Sequence, residues 1–198
     1  RAGDLAVPLS LSEKQVREIL CRLGRAGMLA RVGGGLYLLP SKLPLGGRWA
    51  PDEVLILSTL MQGRGSRYQI CGPNAFNRYG FEDQVPNRVY VYNDGISGER
   101  RIASTSFSFI KVDGARLGDA ERFDQGEGLT ALYSSRRRTL LDAVYDWSRF
   151  NGLPRAYAWI REEIRTGRVT AKDMVEVTLR FGNQGTIRRI GALLERLD

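Results

Sequence analysis

Apolar positions follow two periods along this chain. Val16, Ile19, Leu20 and Leu23 recur at i, i+3, i+4 and i+7, one face of an amphipathic helix. Ser12 precedes that run and Gln15 follows it by three, the spacing of a capping box, and Gly24 and Gly27 stop the helix. A shorter helical segment over residues 4–9 comes first, cut near its end by Pro8. Residues 28–32 and 36–39 read as two strands, and Gly33-Gly34-Gly35 between them as a tight hairpin turn that Pro40 closes. Residues 41–47 contain Pro44, Gly46 and Gly47 and read as a linker, which divides the chain into units 1–45 and 46–198.

In the second unit, Asp52 and Glu53 open a mostly buried helix through Val54, Leu55, Leu57 and Met61. Residues 67–71 predict a strand, and Gly72-Pro73-Asn74 starts a short helix that ends at Gly80. Residues 88–92 alternate as a strand, Asn93-Asp94-Gly95 turns, and residues 99–103 form the returning strand. The strongest strand covers residues 105–112, with Phe107, Phe109 and Ile110. From Leu129 onward the period becomes helical, with Leu140, Leu141, Val144 and Trp147 on one face and Ala156, Trp159, Ile160 and Ile164 on the next. Residues 169–181, with Thr170 as cap, and residues 186–197 complete the helices. Strands first and helices after predict an α+β fold: a winged helix-turn-helix, then a mixed α/β domain ending in a helical half.

Composition narrows the chemistry. The chain has no histidine, which removes Ser-His-Asp and Cys-His catalysis and every His-containing metal site. Cys21 and Cys71 have no metal-ligand or disulfide spacing and read as small buried hydrophobes in a reducing cytosol. No apolar run is long enough to span a membrane, and no signal segment opens the sequence, which starts at Arg1. Gly65-Ser66 is not followed by the Asp-x-Asp of a nucleotidyltransferase, Lys111 lacks the acidic partner of a restriction-type nuclease, and no P-loop occurs. The expectation is therefore no enzyme, no catalytic residue, no metal and no cofactor.

The formal charge of +8 favours an anionic partner. Residues 1–48 carry eight cations and three anions, whereas the other 150 carry 22 and 19, so the positive excess is densest in the small unit. The polar face of its amphipathic helix holds Lys14, Glu18, Cys21 and Arg25, flanked by Gln15, Arg17 and Arg22. Ser12, Lys14 and Gln15 start the helix that would enter a major groove, with Lys14 suited to guanine and Gln15 to adenine. Arg17, Arg22 and Arg25 suit phosphates, Arg31 comes from the wing, and Gly34 lets the turn approach the minor groove. A protein-binding winged helix, or a surface helix with a solvated face, gives the same pattern. A winged helix also needs an earlier helix over its core, which residues upstream or the helix after Asp52 would supply. Arg136, Arg137 and Arg138 form the densest basic run, at a helix start where the dipole disfavours cations. They would meet DNA phosphates or an acidic partner, or else Arg138 pairs with Asp142 at i+4 and the other two are solvated.

Four short pieces in order resemble the AbiEi antitoxins of type IV toxin–antitoxin systems. They are Gly35-Leu36-Tyr37-Leu38-Leu39-Pro40, the stretch from Ala75 to Gly80, Gln84-Val85-Pro86 with its following strand, and Arg138-Thr139-Leu140-Leu141-Asp142. The resemblance covers most of the chain. It implies a cytoplasmic repressor that binds inverted repeats in double-stranded DNA at its own promoter and counters a nucleotidyltransferase-like toxin. A nuclease-like enzyme targeted by a winged helix, and a protein-binding adaptor, are the alternatives.

Overall fold

The computed structural model describes residues 2–126 and 128–197. After a 3-10 turn at Ala2–Leu5 and further turns through Ser10, helix α1 spans Glu13–Arg25. The helical segment expected over residues 4–9 is thus a turn, as Pro8 withholds one backbone N–H from any helix there. At α1 the capping box forms. The Ser12 hydroxyl accepts from the Gln15 amide, and the Gln15 side chain accepts from the Ser12 backbone. Val16 and Leu20 bury against Leu29, with Ala6, Leu11, Leu23 and Tyr37 around them.

Strands β1 (Ala30–Gly33) and β2 (Leu36–Leu38) form an antiparallel hairpin. Its two-residue turn needs positive φ at both positions, which Gly34 (57°) and Gly35 (75°) supply without steric cost. Residues 41–52 form neither helix nor strand before α2 (Glu53–Arg64), which Asp52 caps through the Val54 and Leu55 amides. The hairpin is seated on α2. Val32, Leu36 and Leu38 share a core with Val54, Leu57 and Leu60, and the Trp49 amide donates to the Gly27 carbonyl. The division expected at residue 45 therefore falls in irregular chain whose two sides share apolar surface. A 45-residue unit buries too little on its own, and this contact adds to it.

The central sheet has six strands in the order β5-β6-β4-β3-β8-β7. These are β3 (Tyr68–Ile70), β4 (Val89–Asn93), β5 (Gly98–Ile102), β6 (Thr105–Lys111), β7 (Ala120–Gly126) and β8 (Leu129–Ser134). A short helix α3 (Pro73–Arg78) follows β3. Two strand expectations change. β5 does not return along β4: it pairs antiparallel with β6, while β4 and β6 run parallel. The helical period expected from Leu129 gives way to strand: β8 pairs antiparallel with β7, a strand the apolar pattern did not indicate.

The period of two sends side chains to opposite faces. Val89, Val91, Phe107 and Phe109 face α2, while Tyr92, Cys71 and Ile110 face the helical half. That half comprises α4 (Arg136–Tyr145), α5 (Trp147–Phe150), α6 (Arg155–Arg165), α7 (Ala171–Phe181) and α8 (Gln184–Leu194). Thr170 with Asp173 makes a capping box on α7. The chain is thus mixed α+β, with a six-stranded sheet between α2 and a helical layer. Among the described residues no helix is long and apolar enough to cross a membrane.

Candidate nucleic-acid interface

Helix α1 turns its polar face to solvent. Ser12, Lys14, Gln15, Arg17, Glu18, Cys21, Arg22 and Arg25 are all exposed, as are Arg31 and Gly34 on the hairpin. Cys21 is therefore not the buried hydrophobe expected, because it sits on the helix face opposite Val16 and Leu20. Cys71 is fully buried, and burial together with nearby Asp142 pushes its thiol well up. From Lys14 to Arg25 the basic face runs about 16 Å along the helix axis. Arg25 and Arg31 come together along one groove of about 450 Å³, with Cys21, Tyr37 and Trp49 beside them.

The side chains on this face differ in how free they are. The Gln15 amide oxygen is held by the Ser12 N–H at 2.9 Å and the Ser12 hydroxyl at 2.8 Å. A bidentate reading of adenine requires the oxygen as well as the amide N–H, so Gln15 would have to give up its cap. Arg17 bonds Glu13 at 3.1 Å, an exposed i,i+4 pair worth little, which a phosphate can replace. Among the described residues, Lys14, Arg22, Arg25 and Arg31 face no carboxylate within ion-pair distance. Ser12→Ala and Gln15→Ala are expected to cost about 1 kcal/mol of stability through the lost cap, whereas Lys14→Ala leaves the melting temperature alone. Thermal melts of the three variants check this; an unchanged melt for Ser12→Ala contradicts the structural role of the cap.

The basic run at α4 requires a correction. Arg138 is fully buried, so it meets neither phosphate nor partner. Its Nε donates to Asp142 at 2.9 Å, Nη2 to the Arg116 carbonyl, and the guanidinium lies 4.1 Å from the Phe181 ring centroid. Asp142, also fully buried, accepts from Ser134, which accepts from Gln69, which in turn accepts from the Gly118 amide. Burial pushes the Asp142 carboxyl above its usual range, and Arg138 opposes that shift. Arg137 bonds Asp119, Asp173 and Glu176, and Arg136 bonds Glu163 beneath the rings of Tyr79 and Phe81. Carboxylates from β7's approach, α6 and α7 thus neutralise the run. The signal available in sequence was Asp142 at i+4 from Arg138; the other partners lie far away along the chain.

Among the described residues, no group of three His, Cys, Asp or Glu side chains is placed to hold a metal ion. A cavity of about 510 Å³ lies between α2 and the β3–β8 side of the sheet, lined in part by Ser58, Gln62, Arg67 and Gln69. It holds no carboxylate or nucleophile–base pair.

A family of unknown function, DUF6088, matches residues 9–119, from the end of the N-terminal turns to the approach to β7. The crystal structure of the Rv2827c protein from Mycobacterium tuberculosis is similar in fold, with a TM-score of 0.55 and 18% identity. The likeness covers 92% of this chain and 65% of that one. No curated protein matches the sequence.

Proposed function

The chain belongs to the DUF6088 family, and from that premise we propose that it is a DNA-binding transcriptional regulator of the antitoxin type, not an enzyme. In this reading α1 is the recognition helix and the Gly34-Gly35 hairpin the wing of a winged helix-turn-helix covering residues 1–45. Residues 46–198 form the antitoxin domain. The observation that carries the reading is the α1–hairpin face, on which Lys14, Arg22, Arg25 and Arg31 stand exposed with no carboxylate partner among the described residues. A helix with its cations held free and a turn that tolerates close approach suit a phosphate backbone and a groove. Lys14, at the start of α1, is the base reader; Arg17, Arg22, Arg25 and Arg31 hold phosphates. Ser12 and Gln15 shape the helix start, and Gly34 approaches the minor groove.

The finer part of the proposal comes from the resemblance to AbiEi antitoxins. The protein acts in the cytoplasm on inverted repeats of its own promoter and opposes a nucleotidyltransferase-like toxin. Fluorescence anisotropy with the promoter duplex and a scrambled duplex tests the DNA part. The promoter is expected to bind at least about 10³-fold more tightly, and Lys14→Ala to narrow that ratio. Equal affinity for both duplexes rejects the regulator. Co-expression with a nucleotidyltransferase encoded beside this chain tests the antitoxin part: rescue of growth is expected, and continued toxicity rejects it.

A further inference from the structure

Helices α6 and α8 enclose a second concentration of positive charge, separate from α1. Their groove, about 370 Å³, is lined by Tyr157, Arg161, Arg188, Arg189, Leu193 and Arg196. Several other arginines of the helical half have carboxylates, although among the described residues Arg180 has only the Phe181 ring. On α6, Arg155 meets Glu82 and Arg165 meets Glu162, and Arg168 just beyond meets Glu163. Among the described residues, none of the four groove arginines has such a partner; Arg189 has only the Trp147 ring, 5.9 Å away. Guanidinium groups stay charged at any physiological pH, so four around one groove repel one another until an anion enters.

The placement of the charges indicates the size of that anion. Tyr157 and Arg161 are four residues apart and share one face of α6. Arg189 and Leu193 are four residues apart on α8, Arg188 lies beside them, and Arg196 reaches the groove from the turn that follows the helix. The four guanidinium groups thus come from three places in the chain, α6, α8 and the turn after α8, around one groove. The groove is of small-molecule size, and its lining joins a ring and an aliphatic side chain to the four charges. We propose that it binds a nucleoside di- or triphosphate, the arginines taking the phosphates and Tyr157 with Leu193 taking the base. The half-buried Tyr157 ring offers a face for stacking, and guanidinium forks match phosphate oxygens in pairs. This assignment does not depend on α1 binding DNA.

Isothermal titration of the full chain with ADP, ATP and pyrophosphate at physiological salt tests it. Saturable binding of both nucleotides is expected, with pyrophosphate weaker. Arg188→Ala/Arg189→Ala, a change confined to exposed side chains, is expected to weaken all three by at least about tenfold. Tyr157→Leu is expected to weaken ADP but leave pyrophosphate as it was, which distinguishes base stacking from charge alone. Absence of saturation, or affinities unchanged by the double variant, overturns the proposal. So does a double variant that loses affinity for a short random duplex while nucleotides fail to compete for it, since the groove is then a backbone contact. Circular dichroism of both variants verifies that they are folded.

Discussion

Arg138→Met is expected to lose about 3–5 kcal/mol of unfolding free energy near neutral pH, read from the shift of the urea midpoint. The substitution keeps an unbranched chain in the site but leaves Asp142 fully buried without its principal counter-charge. Arg116, 3.6 Å from Asp142, does not replace it, because it is stacked on Tyr145 and donates to the Phe181 carbonyl. The loss has a predictable pH dependence. Burial already raises the Asp142 carboxyl in the folded chain, and removal of Arg138 raises it further. A raised folded-state value gives stability that is present below the unfolded value, near 3.8, and lost as pH rises through the folded one. The variant should therefore be closest to the parent in mild acid and fall away toward neutrality. Arg138→Met/Asp142→Leu, which removes both charges, should recover most of the loss, since a buried pair contributes little against an apolar replacement. A loss below about 1 kcal/mol in the single variant would show that solvent reaches this site.

Gly152→Ala is expected to destabilise by about 3 kcal/mol, at the upper end of what overpacking costs. A Cβ at residue 152 would fall against the Ala143 carbonyl oxygen, with the carbonyl carbon at 3.0 Å and Cα at 3.2 Å. Neither side can yield easily. Ala143 lies in α4 in the core, and the Gly152 backbone is held by bonds to Trp147 and from Ala156. Gly63→Ala is the control. Its new Cβ meets only the end of the Leu36 side chain, which can change rotamer, and alanine favours the helix by about 1 kcal/mol. Thermal or urea unfolding should show a large loss at 152 and little at 63. Equal losses would mean that the α4 contact is softer than the backbone geometry indicates.

Where sequence and structure agree, the determinants are local. Ser12 and Gln15 form their capping box within one turn, Gly34 and Gly35 make the hairpin turn that Gly33 leads into, and Thr170 caps α7. Where they differ, pairing over distance decided. β7 has mostly exposed side chains, and its place is set by β8, whose Leu129, Ala131 and Leu132 read equally well as helix. β5 passes over its sequence neighbour β4 to pair with β6, a choice that depends on the parallel β4–β6 contact. Three consecutive arginines after Ser135 look like a solvated patch. Asp119, Glu163 and Asp173, which neutralise two of them, reach them only through the packing of α6, α7 and the approach to β7. The groove between α6 and α8 was hidden for the same reason, as Arg161 and Arg188 meet only in the folded chain.

The salt dependence of duplex binding tests the central claim most directly. A chain whose α1–hairpin face neutralises phosphates should lose affinity linearly in log–log form as salt rises. Arg22→Ala, Arg25→Ala and Arg31→Ala should each flatten that slope by about 0.9 and weaken promoter and scrambled duplex alike. The triple variant should approach the affinity floor, while its unfolding midpoint stays with the parent because these side chains are exposed and meet no carboxylate among the described residues. A slope unchanged in the triple variant would place the DNA-binding face elsewhere and contradict the account.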